Sequence, residues 1–225
     1  MTLMIALLLA TLAATGSVQP TTAPATQPAA QPSTQPAPQL DLPYGVQIVS
    51  RDEWGAEPAK ADMLIAHVPD KITIHHTAVM QNPDRPNREK LASLQEFSQS
   101  DGKLADGRDK IAWADIPYHY YICDDGEIFE ARDVRYEGDS NTNYDLTGHA
   151  LIVLEGNFEE EEVTPEQLRS VKALVAALAD YYDVPAERIT GHKDQAQTAC
   201  PGKDLYEKLD EIREVADEPV DDFAK

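Results

Sequence analysis

Proline recurs at every fourth position from Pro20 to Pro36, with only Ala, Thr, Gln and Ser between. A stretch of this composition has nothing to bury, and frequent proline favours extended polyproline II. Any fold must therefore be built from the residues that follow. Residues 17–43 read as a tether, which at ~3.1 Å per residue reaches roughly 80 Å. Residues 1–16 are apolar and small. They are too few to span a bilayer comfortably, which takes ~20 residues. Ala14 and Gly16 supply small residues before a cut near Ser17, so a secretory signal is expected. A retained hydrophobic anchor is the alternative, since no Lys or Arg precedes the apolar run. The product is expected to be exported, to the periplasm, cell envelope or exterior, with any membrane tether through the N-terminus alone. Residues 44–215 remain for a single domain, and residues 216–225 form an acidic tail.

Within the domain, strand and helix signals are mixed. Ile72–His76 is short and β-branched. Tyr118–Cys123 and Glu127–Ala131 flank Asp124-Asp125-Gly126, a hairpin signal. Ala150–Leu154 suits a buried strand, and Arg188-Ile189-Thr190 is strand-like. Thr164-Pro165-Glu166-Gln167 is a helix start: Thr as N-cap, Pro in the first turn, Gln reaching back. Leu168, Val171, Leu174, Val175 and Leu178 then recur at helical spacing up to Tyr182. Arg88–Gln99 and Lys203–Val215 are two further amphipathic helices. The pattern predicts an α/β domain, a central mixed β-sheet flanked by helices.

His75-His76 closes the first strand, and Gly191-His192 and Cys200 follow more than a hundred residues later. Two imidazoles and a thiolate suit Zn²⁺ with its fourth position open, a catalytic rather than a structural arrangement. Neighbouring strand side chains point to opposite faces, so only one of His75 and His76 meets such a site; spacing leaves open which. Thr198 lies two residues before Cys200, and in an extended segment its hydroxyl shares the cysteine's side. Alternation puts Tyr118 on one face with Tyr120 and Ile122. Glu155, at a strand end, is a candidate general base. Cys123 reads as a small buried hydrophobe, so no Cys123–Cys200 disulfide is expected. The net charge is −21 and the first basic residue is Arg51, which excludes nucleic acid or anionic lipid as a bulk electrostatic partner.

The segment Gly45–Ala56, then Ile74-His75-His76-Thr77, Tyr118-His119-Tyr120, Asp125–Glu130, Glu155-Gly156-Asn157-Phe158, Gly191-His192 and Cys200-Pro201-Gly202 stand in a telling order. As a set they resemble peptidoglycan recognition protein domains and the wider group of type-2, zinc-dependent N-acetylmuramoyl-L-alanine amidases. The resemblance covers residues 44–210. It implies a mixed sheet with zinc in a groove, held by His75, His192 and Cys200. It also implies that Tyr118 stands near the catalytic water and that Thr198 occupies a position where active recognition proteins carry threonine. The implied reaction is hydrolysis of the amide between the lactyl group of N-acetylmuramic acid and L-alanine, in peptidoglycan or muropeptides, by a monomer. His149 and Glu155 are weaker candidates for groove contacts. Two departures stand out. Val153 occupies the place where some bacterial members carry a catalytic glutamate, and Arg132-Asp133-Val134 replaces Arg-Gly-Trp. Rival expectations are a binding module that does not cut, and a cysteine peptidase using Cys200 with His149 or His192.

Overall fold

The computed structural model describes residues 40, 42–104 and 107–217. The expected signal, nearly all of the tether and the tail beyond Asp217 lie outside the described residues. Among the described residues, no helix is long and apolar enough to cross a membrane. In chain order the elements are β1 (Ile48–Val49), α1 (Arg51–Trp54), β2 (Lys71–His76), α2 (Asn87–Ser98) and a small hairpin, β3 (Gly102–Lys103) with β4 (Asp109–Lys110). Then come β5 (Tyr120–Ile122), β6 (Ile128–Glu130), β7 (His149–Leu154), α3 (Pro165–Tyr182), β8 (Ile189–Gly191), α4 (Lys203–Glu207) and α5 (Leu209–Glu214). Six strands form one mixed sheet in the order β1-β6-β5-β7-β2-β8. Only β5 and β6 pair antiparallel; the other neighbours are parallel.

Local chemistry accounts for the two best-defined signals. Thr164 accepts from the Gln167 amide, and the Gln167 side chain accepts from the Thr164 amide, so α3 begins on a full capping box. The β5–β6 turn closes with the Gly126 amide on the Cys123 carbonyl at 2.9 Å. Gly126 has φ 84, and a Cβ there would lie 2.8 Å from the Glu166 carbonyl oxygen, so the turn needs glycine to seat against the start of α3. The single helix expected over Lys203–Val215 is instead two. Lys208 has ψ −1 and its amide bonds the Leu205 carbonyl three residues back, a tightened turn that separates α4 from α5.

The two faces of the sheet have different roles. Ile72 and Ile74 of β2, with Ala150, Ile152 and Leu154 of β7, pack under Val171, Leu174, Val175 and Leu178 of α3 and Leu209 and Ile212 of α5. Each large aliphatic side chain fully buried there contributes about 1.5–3 kcal/mol. On the other face, Tyr121, Phe129 and Val153 meet Leu91 of α2 and Trp54 of α1. A slip of one residue in β2 would exchange Ile72 and Ile74 for Thr73 and His75 in the α3 core. The same apolar burial that fixes the register therefore turns His75 away from α3.

His119 and His67 are built into this scaffold as neutral rings. Nδ1 of His119 accepts the Leu151 amide at 2.7 Å while Nε2 lies 2.8 Å from the Tyr136 carbonyl. Nδ1 of His67 accepts the Gly148 amide and its Nε2 faces the Val134 carbonyl. A second ring proton would confront an N–H donor. Burial accordingly holds both below the ordinary imidazole value, and it pushes His149 down to about 4. In the unfolded chain these histidines protonate near their ordinary value, about 6.5. The stability these histidines contribute is then fully present above that value and declines as pH falls from it toward 4. Urea midpoints at pH 7.5 and 5.0 check this. The midpoint is expected to be lower at pH 5.0, with or without a chelator, because neither His67 nor His119 belongs to the donor cluster. Equal midpoints would contradict it.

Candidate metal centre

The structure brings His75, His192 and Cys200 together, all buried, with one donor atom from each within 4.8 Å of the others. His75 is the penultimate residue of β2, a strand held between β7 and β8. His192 opens a single 3₁₀ turn beyond β8, where the Asp194 carboxylate accepts the Gly191 amide. Cys200 follows on a loop fixed at Gly202. That glycine has φ 89, and a Cβ would lie 2.6 Å from the Phe158 carbonyl carbon. His76, the other member of the pair, turns away: its Nδ1 accepts the Phe158 amide at 3.3 Å, although its edge still reaches the pocket.

These residues fit a zinc ion. Nδ1 of His75 lies 3.6 Å from Cys200 Sγ. Zn–N near 2.05 Å and Zn–S near 2.3 Å at a tetrahedral angle place N and S about 3.5 Å apart. Burial pushes His75 well down and His192 to about 4, so both imidazoles are in the neutral, ligating form. Burial pushes the Cys200 thiol up to about 12, opposed only by the His76 amide, which donates to the sulfur. Such a thiol is the reverse of an activated nucleophile; it ionises when a cation takes the proton's place.

The donors border an open pocket of about 280 Å³ that Tyr118, Thr198, Trp113, Asp139 and Thr142 also line. Tyr118 does not follow the alternation expected of it. The chain bends at His119, whose amide and carbonyl bond Leu151 and Ala131. The bend moves Tyr118 to the face of Tyr121 and Val153, with its ring 5.2 Å from that of His75. Burial and the neighbouring Cys200 raise its phenol above the ordinary value, so it remains a donor. Thr198 lies in a bend rather than an extended segment, and its Oγ1 accepts the Cys200 amide at 3.2 Å.

Glu155 and His149 do not line this pocket. The Glu155 carboxylate bonds Lys90 of α2 at 2.9 Å and accepts the Asn82 and Asp124 amides. It ties α2 and the loop after β2 to the β5–β6 turn. His149 opens β7 on the site's face of the sheet, but its Nδ1 bonds Thr73 Oγ1 at 2.7 Å and its ring meets the edge of Tyr144. Residues that escaped the sequence reading include Trp113, Asp139 and Thr142, which line the pocket, and Tyr144, whose ring packs against that of His192. The last three lie in a polar stretch between β6 and β7 whose composition signals only a loop. Cys123 and Cys200 are both free thiols.

Residues 66–203 match the family described as N-acetylmuramoyl-L-alanine amidase. The chain is 28% identical to peptidoglycan-recognition protein SC2 of Drosophila melanogaster over 73% of its own length and 85% of that protein's. Among solved structures it resembles the N-acetylmuramoyl-L-alanine amidase LysC from Clostridium intestinale, with a TM-score of 0.55 and 30% identity over 72% of this chain and 94% of that one. It also resembles a Tyr-to-Phe variant of Drosophila PGRP-LB in complex with tracheal cytotoxin, with a TM-score of 0.60 and 25% identity over 72% and 92% of the two chains. The matched segment runs from just before β2 into the start of α4 and contains all three converging donors, and on that match the chain belongs to the N-acetylmuramoyl-L-alanine amidase family.

Proposed function

We propose that the protein is a zinc-dependent amidase that cleaves the bond between the lactyl group of N-acetylmuramic acid and L-alanine in peptidoglycan. The observation that carries this reading is the complete set of two imidazoles and one thiol converging beside an open pocket. Bound there, Zn²⁺ supplies Lewis-acid polarisation of a carbonyl and acidifies a water molecule. The residues of the chain do the rest. Tyr118 keeps its proton and donates a hydrogen bond to the carbonyl oxygen as negative charge builds on it. Thr198 receives the Cys200 amide, which leaves its own O–H proton to donate into the pocket. Half-buried Trp113 offers an apolar wall. Asp139 lines the same wall but is committed to Arg132 at 2.5 Å, so the groove carries little net charge toward a glycan.

The chain's relation to recognition proteins, one of them solved in complex with tracheal cytotoxin, supports a second reading: a module that binds muropeptides without cutting them. The export expected from residues 1–16 suits either. Mass spectrometry of soluble muropeptides separates the two. Incubation is expected to release a free L-alanyl peptide from the muramic acid, a chelator to abolish the release, and Zn²⁺ to restore it. Full cleavage by verified metal-free protein would overturn the zinc mechanism. Binding without turnover in the presence of Zn²⁺ would favour the recognition module.

A further inference from the structure

We infer that Thr142 is a positioning residue for the metal centre: its hydroxyl holds the His192 ring with the proton on Nε2 and so presents Nδ1 to His75 and Cys200. The inference rests on the metal reading above and adds to it a residue from the loop between β6 and β7.

The two proposed imidazole ligands are held in different ways. His75 belongs to a six-residue strand with a partner on each side, and its Nε2 is buried without a hydrogen bond. The strand backbone and the neighbouring Tyr118 ring aim the imidazole. His192 lies past the end of the edge strand β8, on one turn of 3₁₀ helix. Its ring needs a second point of attachment, and Thr142 Oγ1 lies 2.6 Å from its Nε2. Thr142 Oγ1 in turn lies 2.8 Å from Ser140 Oγ, which also accepts the Thr142 amide at 3.1 Å. With the proton on His192 Nε2, the donors run one way: Nε2–H to Thr142, Thr142 O–H to Ser140. Because Nε2 is taken up by Thr142, Nδ1 is the nitrogen left for the metal, and a proton there would block it.

The loop that carries Thr142 is anchored. Asp139 bonds Arg132 and its amide bonds the Pro117 carbonyl. Arg132 is 2% exposed and donates to the Ile116 and Asp115 carbonyls. Beyond Thr142, the Tyr144 ring packs 5.3 Å from that of His192. A hydroxyl on a fixed loop, bonded to the non-ligating nitrogen of a metal histidine, orients the ring and, by accepting from Nε2–H, leaves Nδ1 to the metal.

Full-length parent, Thr142→Val and Thr142→Ser test this with two readouts besides activity. One is Zn²⁺ affinity, by competition with a chromophoric chelator. The other is the His192 tautomer in metal-free protein, by ¹⁵N NMR. Thr142→Val is expected to weaken Zn²⁺ binding by roughly 10–100-fold with an unchanged melting temperature of the metal-free protein. Thr142→Ser is expected to bind like the parent. The parent is expected to show the Nε2–H form, and Thr142→Val a mixture. Equal Zn²⁺ affinity in parent and Thr142→Val overturns the inference alone, whereas a parent that binds no Zn²⁺ overturns it together with the proposed function. Should Thr142→Val fail to fold, an Nδ1–H tautomer in the parent still overturns it.

Discussion

Cys200→Ala is expected to abolish amide cleavage and to lower Zn²⁺ affinity by more than the roughly 100-fold that loss of an outer hydrogen-bond partner costs. The thiolate is the only anionic donor of the three. The one carboxylate on the pocket wall, Asp139, is already paired with Arg132 and does not substitute. Folding itself should survive, because the change removes one sulfur from the edge of a pocket rather than a methyl group from the α3 core. Cys200→Asp is expected to recover part of the affinity, since a carboxylate oxygen also ligates zinc. Zinc content by mass spectrometry alongside circular dichroism checks both. Parent-like zinc affinity in Cys200→Ala would remove the cysteine from the donor set.

Tyr118→Phe separates chemistry from metal binding. The substitution keeps the ring beside His75 and deletes only the hydroxyl. Zn²⁺ affinity and melting temperature are expected to match the parent, while kcat on muropeptides falls roughly 10²–10³-fold, the usual cost of one transition-state donor. A change confined to KM would make Tyr118 a substrate-binding residue, and an unchanged rate would return it to packing.

The parts of this molecule that were legible in the sequence are those decided by neighbours in the chain. The α3 start needs only Thr164, Pro165 and Gln167 to recognise one another, and the β5–β6 turn only Gly126 and its flanks. The strand alternation of β2 narrowed the histidine pair to one candidate ligand, but the choice needed the α3 core, which claims Ile72 and Ile74 and so His76 with them. Other features were set by distant partners. The bend that moves Tyr118 across the sheet depends on His119 reaching the Leu151 amide. Glu155 looked free at a strand end because its partner Lys90 lies 65 residues earlier. Thr142 carries no pattern at all: a threonine among Ser, Asn and Asp becomes informative only when the loop is laid against His192.

His75 and Cys200, now 3.6 Å apart, are separated by 125 residues of chain. No half of the domain contains the donor set, and no local segment can capture the ion and then fold around it, as small zinc-finger modules do. Closing contacts of such long sequence separation is the slow part of folding. On the proposed zinc reading, metal uptake therefore comes last, after β8 has joined β2 and the Cys200 loop has docked. Its free energy accrues only to the finished domain, as RT ln(1 + [Zn²⁺]/Kd). On the proposed zinc reading, ambient zinc would slow the unfolding of a finished molecule and leave the rate at which a new one forms untouched.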